Sequence, residues 1–129
     1  MNTAIIKTSE LEGKALDWAT GIAAGFKMSW NKITGQPTAE KNMQLWTHWE
    51  PSISWNQCGP LIDEYDIGIL GPEPGDDSEL IAAGINWYST DGSYGEGATV
   101  KIAACRALVA AKLGNKVEVP VIMIEEVQS

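Results

Sequence analysis

Apolar positions along the chain fall into two long helical stripes separated by short alternating runs. In "SELEGKALDWATGIAAG", Leu11, Ala15, Ala19, Ile22 and Ala23 recur at helical spacing and form one apolar face. Ser9 and Glu12 stand in the capping-box relation, each side chain able to satisfy a free N–H at a helix start, and Gly25 suits the residue that ends one. The pattern predicts a first helix over residues 9–24, with Trp18 at the border of its stripe. "ATVKIAACRALVAAKLGNK" predicts a second over 99–113, with Thr99 as N-cap, Lys112 favouring the dipole in the last turn and Gly114 as the stop. Its apolar face (Val100, Ala103, Ala104, Ala107, Leu108, Ala111) is dominated by small residues, so a neighbouring element must approach it very closely.

Between the stripes the signals are shorter. "FKMSW" alternates as a strand does, and "QLWTHW" reads as a second strand. In "NQCGPLIDEYD", Pro60 fits the first helical position and predicts a short helix over 58–65. "IGIL" and "ELIAAGINWY" read as strands joined by the turn "GPEPGDDS". The tail "VEVPVIMIEEV" reads as an edge strand or a docking segment, with Pro120 limiting its pairing. The expected fold is a single α+β domain spanning 1–129, a small, mainly antiparallel sheet packed with two main helices and one short helix in a sandwich-like arrangement.

Composition agrees with one domain: 129 residues, 44% of them apolar, can build a core. No apolar run approaches the ~18 residues of a membrane span, and the N-terminal segment lacks the pattern of a signal peptide. A reducing compartment is expected, where Cys58 and Cys105 act as small core residues with free thiols. The net charge of −8 is unevenly spread. Between Asn42 and Val100 there is no Lys or Arg, while Glu50, Asp63, Glu64, Asp66, Glu73, Asp76, Asp77, Glu79, Asp91 and Glu96 all fall there. Such a stretch repels phosphate backbones and argues against sequence-independent nucleic-acid binding. It suits a basic protein partner, a divalent cation, or simply a solvated face.

Candidate chemistry is sparse. His48 is the one usual base for a nucleophile, and it lies between Trp46 and Trp49. Two cysteines and one histidine without close spacing make a poor zinc site, so neither a metal nor a cofactor is expected. The carboxylates of "DEYD" (Asp63, Glu64, Asp66) and "DDSE" (Asp76, Asp77, Glu79) are the only basis for a hydrolase. The aromatic residues are more informative. Trp46 and Trp49 in one strand point to opposite faces, as do the neighbours Trp87 and Tyr88, so one aromatic set should lie off the core. "NWYSTDGSYGEGAT" reads as a loop opening onto the N-terminus of the second helix, either a simple strand-to-helix connection with an N-cap or a place where N–H groups can hold an anion. Asp91 and Glu96 oppose that role, and Lys101 or Arg106 would have to assist. The candidate ligand site is therefore Trp46, His48, Trp49, Trp55, Trp87, Tyr88, Ser89, Thr90, Tyr94 and Thr99, suited to a flat, nucleotide-like small molecule.

Three blocks carry a resemblance to a known family. "LEGKALDWATGIAAG", "PSISWNQCGPLIDEYDIGI" and "ACRALVAAKLGNKVEVP" resemble the conserved-pattern blocks of the NinX-like proteins of tailed phages: an L-x-G-x-x-L-D-W helix start, a W-x-Q-G-G-P-I-I block and a K-L-G-x-x-V-x-V-P close. Cys58 stands where that pattern has Gly, and Ile53 where Thr is common. The resemblance implies a phage origin and a shared fold, more loosely that of small phage α–β–α sandwiches, but no activity. Together these readings lead to the expectation of a non-enzymatic phage accessory protein in the host cytoplasm. It would sequester a nucleotide-like host defence signal and so counteract host immunity. The alternative is an acidic module that inhibits a basic host protein. The alanine-rich helix and the apolar tail would suit a homodimer in either case.

Overall fold

The computed structural model describes residues 2–70, 80–85 and 93–128. From its N-terminal side the chain forms β1 (Thr3–Lys7), a 3-10 turn (Thr8–Glu10), α1 (Gly13–Ala23), β2 (Lys27–Asn31), β3 (Gln36–Lys41) and β4 (Gln44–Trp46). It continues through α2 (Trp55–Glu64), β5 (Gly68–Leu70), β6 (Ile81–Ile85), β7 (Ser93–Gly97), α3 (Val100–Leu113), β8 (Lys116–Pro120) and α4 (Val121–Gln128). The class is α+β, as expected, but the described strands divide among three antiparallel sheets, β1–β8, β2–β3–β4 and β5–β6–β7. The turn "GPEPGDDS", with Asp76 and Asp77, lies outside the described residues.

The small residues of α3 are explained by β7. In β7 the residues alternate, with Gly95 and Gly97 buried and Tyr94 and Glu96 exposed. A Cβ on Gly95 would lie 2.5 Å from the Ala107 nitrogen and 2.8 Å from the Ala103 carbonyl oxygen; one on Gly97 would lie 2.9 Å from the Ala103 nitrogen. Strand backbone therefore rests directly on the helix, which only glycine at these strand positions permits. The expectation of a flexible loop into α3 is corrected here: Ser93–Gly97 is a paired strand, because its glycines gain more from this contact than from conformational freedom. The close neighbour demanded by the alanines is thus found within one chain. Residues Ala103, Ala104, Cys105, Ala107, Leu108 and Val109 are all buried, as α3 also packs on α1, α2 and β6. Ala111, expected on the buried face, is exposed.

α1 begins later than its sequence suggests. Ser9 belongs to the 3-10 turn, and the N-cap Glu12 makes no side-chain cap. The predicted capping box is absent because the preceding backbone is held elsewhere. Thr8 donates its hydroxyl to the Gly114 carbonyl (2.6 Å) and its N–H to the Asn115 carbonyl (2.8 Å), while Arg106 donates to the Leu11 carbonyl. Leu11 and Glu12 are extended as a result, and the helix waits until Gly13. Ile22 is 43% exposed, so the buried stripe is Ala15, Leu16, Ala19 and Ala23. The end is as expected. Gly25, at φ 84°, donates to the Ile22 carbonyl and Phe26 to the Gly21 carbonyl, the paired bonds of a Schellman stop.

Two other expectations change and a third holds. The strand "QLWTHW" ends at Trp46 and pairs with a strand, Gln36–Lys41, that Pro37 obscured in the sequence. α2 starts at Trp55, so Pro60 lies inside it and not at its first position. Pro60 is exposed, which lets water serve the carbonyl it leaves unpaired. The apolar tail divides in two: Lys116–Pro120 pairs with β1 as the expected edge strand, and the residues after it form α4, which packs on α1. Cys58 carries no positive φ, so its place in the family pattern costs no backbone strain.

A buried carboxylate ties α1 to the tryptophan-rich segment. Asp17 is 4% exposed. Its Oδ1 accepts the Ser52 N–H (2.8 Å), and its carbonyl accepts the Trp49 indole N–H (2.9 Å). Burial pushes the Asp17 carboxyl up to about 7, against the lowering effect of the Ser52 bonds. The folded chain then keeps a proton that the unfolded chain releases near pH 4. Stability therefore falls as pH rises from about 4 to 7, by about 4 kcal/mol for the ~3-unit difference. Asp17→Asn keeps an acceptor for Ser52 and removes the charge, so urea titrations should show it gaining on the parent protein from pH 5 to pH 8. An unchanged difference between the two would assign the burden to another group. The glycine contact gives a second expectation. Gly95→Ala should cost about 3 kcal/mol through overpacking, whereas Gly59→Ala, whose Cβ would meet nothing within 4 Å, should stabilise α2 by roughly 0.5–1 kcal/mol.

Candidate functional site

Two of the depressions among the described residues bring together chemistry that could meet a ligand. The larger, about 510 Å³, lies between β7, the C-terminal half of α3 and the β1–β8 ribbon, and is lined by residues that include Lys7, Thr8, Tyr94, Glu96, Arg106 and Lys116. Its volume is within the ~300–1,000 Å³ of small-molecule sites. Its construction follows from the fold. Because Gly95 and Gly97 face α3, the alternation of β7 turns Tyr94 and Glu96 outward to the cleft. Tyr94 is 62% exposed. Arg106 reaches across the floor from α3. Its Nε and one terminal nitrogen donate to the Leu11 carbonyl (3.0 and 2.8 Å), and the other terminal nitrogen donates to the Glu96 carbonyl (2.7 Å). The guanidinium is thereby fixed, and all of these bonds go to carbonyls, so no carboxylate neutralises it through them.

The charge pattern of this cleft opposes that of the chain. Lys7 and Lys116 are direct partners across the β1–β8 ribbon. Like charges facing each other on paired strands are destabilising. Neither is ion-paired among the described residues. With Arg106 they set three cations around a cleft whose lining includes one carboxylate, Glu96, in a protein of net charge −8.

The smaller depression, about 260 Å³, lies between α2 and the β3–β4 hairpin, and Trp46 and Trp49 contribute to its wall. The expectation that these rings point to opposite faces is corrected. Residues 47–49 are not a strand, and the rings meet, with centroids 6.3 Å apart at 53°. Trp49 is sealed in the core at 1% exposure, whereas Trp46 is half-buried.

The other predicted residues are dispersed. Trp55 is 53% exposed, with the Lys101 ammonium 4.7 Å from its ring. The Thr99 hydroxyl caps α3, accepting the Ile102 N–H (3.1 Å), so that helix end is occupied by its own residue. His48 is exposed and its carbonyl accepts from the Gln57 amide. The thiols of Cys58 and Cys105 are buried and free, and Cys58 donates to the Lys101 carbonyl at 4.0 Å; their mutual influence pushes the Cys58 thiol pKa down and, with burial, the Cys105 thiol pKa up. An exposed imidazole and two buried thiols do not form a nucleophile–base pair. Trp87, Tyr88, Ser89 and Thr90 lie outside the described residues. Asp63, Glu64 and Asp66 are exposed, and among the described residues no three acids, histidines or cysteines converge as for a metal. Of the cleft residues, Lys7 and Lys116 went unread as a site because they sit at opposite ends of the sequence. A pairing of the two valine- and isoleucine-bearing ends was the only signal available. Among the described residues no helix is long and apolar enough to cross a membrane.

No curated protein matches the chain. The family model described as "Bacteriophage P22, NinX" matches residues 7–112, a span from the end of β1 almost to the end of α3 that takes in Tyr94, Arg106 and both tryptophans of the smaller depression. The three sequence blocks, the elements they form and this match agree, and the chain belongs to the NinX family of bacteriophage proteins.

Proposed function

We propose that this phage accessory protein is a non-catalytic binder of a small, flat, negatively charged ligand of nucleotide type, held in the cleft between β7 and the β1–β8 ribbon. The observation that carries this reading is the facing pair Lys7 and Lys116 beside the anchored Arg106. Two like charges opposed on a ribbon cost stability until an anion lies between them, and the cost is then recovered as affinity. Tyr94 offers a ring face beside the cations, as a base-bearing anion requires. In an infected cell such a binder would hold a nucleotide signal away from its receptor and blunt host defence.

Calorimetry against nucleoside mono- and diphosphates and cyclic dinucleotides tests it. At least one should release heat, with affinity falling as salt rises. Lys116→Glu puts opposite charges across the ribbon. That variant should melt slightly higher without ligand, by the roughly 0.2–1 kcal/mol of a favourable cross-strand pair, yet bind the nucleotide at least tenfold more weakly, as loss of one charge-assisted bond of ~1.5–3 kcal/mol requires. A silent panel, or binding that Lys116→Glu leaves intact, sinks the proposal.

A second reading draws on the exposed acids Asp63, Glu64 and Asp66 at the end of α2. They would let the protein dock on a basic host protein and inhibit it. Pull-downs from host extract should then capture a basic protein at low salt and release it at high salt; retention at high salt argues against this reading.

A further inference from the structure

We propose that the crevice between α2 and the β3–β4 hairpin is a second small-molecule site, one that takes an uncharged planar heterocycle of the nucleobase type. It is separate from the cationic cleft and does not rest on the function proposed for that cleft. At about 260 Å³ it falls below the ~300–1,000 Å³ of sites for larger ligands, which suits a ring system without a charged tail.

The wall is aromatic and fixed. Trp49 is held by its indole bond to Asp17 and stacks on Phe26, with centroids 4.6 Å apart at 38°. Trp46 leans on Trp49 and remains half-buried, so it is the ring with surface left to offer. Every base has a π-face, and an indole held still by its neighbours can stack on it without ordering cost.

The rim is made of amides. Asn42 and Gln44 come from the hairpin, Asn56 and Gln57 from α2. Gln57 is already committed: its carbonyl oxygen accepts the Glu50 N–H (2.6 Å) and its amide nitrogen donates to the His48 carbonyl (2.7 Å). The side chains of Asn42, Gln44 and Asn56 bond no described residue. Each amide both donates and accepts, which matches the mixed edge of a base. Pro60 adds one more acceptor. Lacking an N–H, it leaves the Asn56 carbonyl of α2 without its helical donor beside the same crevice.

Charge selects against an ionised ligand. The lining carries one cation, Lys41, and one anion, Glu64. The Lys41 ammonium is occupied by the Ala24 carbonyl (2.8 Å) and lies 5.4 Å from the Phe26 ring centroid. The hairpin tip is also built at a cost. Asn42 (φ 53°) and Met43 (φ 66°) both occupy the left-handed region, and Met43 is a bulky residue there, fully exposed. Both residues form the two-residue turn between β3 and β4, whose hairpin geometry favours positive φ at each position.

Titration of the full chain with adenosine, guanosine, cytidine and uridine, followed by the indole N–H resonances in NMR spectra, tests the assignment. At least one nucleoside should shift the Trp46 and Trp49 signals in a saturable manner. Asn56→Ala, at an exposed helical position that tolerates alanine, and Trp46→Ala should each weaken that nucleoside at least tenfold. Lys116→Glu should leave it unchanged, even where it abolishes nucleotide binding. The proposal is overturned if no nucleoside shifts those resonances, if Asn56→Ala and Trp46→Ala leave binding intact, or if Lys116→Glu abolishes nucleoside binding, which would place the base in the cationic cleft.

Discussion

Everything in this structure is arranged around the place where a strand backbone lies against a helix backbone. Gly95 and Gly97 bring no side chain of their own between β7 and α3, and the backbone of Ala103 and Ala107 meets them from the helix. So close a seat has one permitted orientation, because rotating the strand would drive a side chain into the helix. It therefore decides which residues of β7 look outward, and those are Tyr94 and Glu96. It also brings the Glu96 carbonyl within reach of Arg106, which bonds the same strand to the start of α1 through Leu11. A packing constraint and a candidate binding surface are two sides of one strand.

The two depressions divide the chemistry that a nucleotide combines. One is cationic with a phenol ring at its edge, the other neutral with indole and amides. The chain as a whole is acidic, and its middle contains no Lys or Arg between residues 42 and 100. Read linearly, that charge map speaks against any anion. Folding reverses the local sign, because β1–β8 pairing joins the two basic flanks, and Lys7 meets Lys116. A long-range field of one sign and a local cleft of the other are compatible, since water and salt screen distant charges more than near ones.

Local signals in the sequence were legible where they depended on neighbours in the chain. Thr99 capping α3, Gly114 and Gly25 as stops, and the hairpin of "IGIL" with "LIAAGI" all follow from propensity and spacing. The demand for a close neighbour to the α3 alanines was also readable, although the neighbour was not. What failed were inferences that tertiary bonds override. The Ser9–Glu12 box lost to Thr8 and Arg106, which pull the backbone straight. β3 was hidden by Pro37, yet that residue is fully buried. The Asp17 site was invisible because a carboxylate on an apolar helix reads as a solvent residue until the Trp49–Ser52 segment folds over it. The aromatic site was legible in its composition and not in its geometry, since the chain leaves the strand at Trp46 and swings Trp49 to the same side.

The β1–β8 ribbon has a bearing on the order in which the molecule can assemble. Helices and hairpins of adjacent segments close small loops and form early, whereas a pair drawn from opposite ends must close a loop of nearly the whole domain. During synthesis β1 is made long before β8 and has to wait, its Ile5 and Ile6 unpaired, until β8 follows. The cationic cleft consequently takes shape only after β8 has been made, when Lys116 can face Lys7.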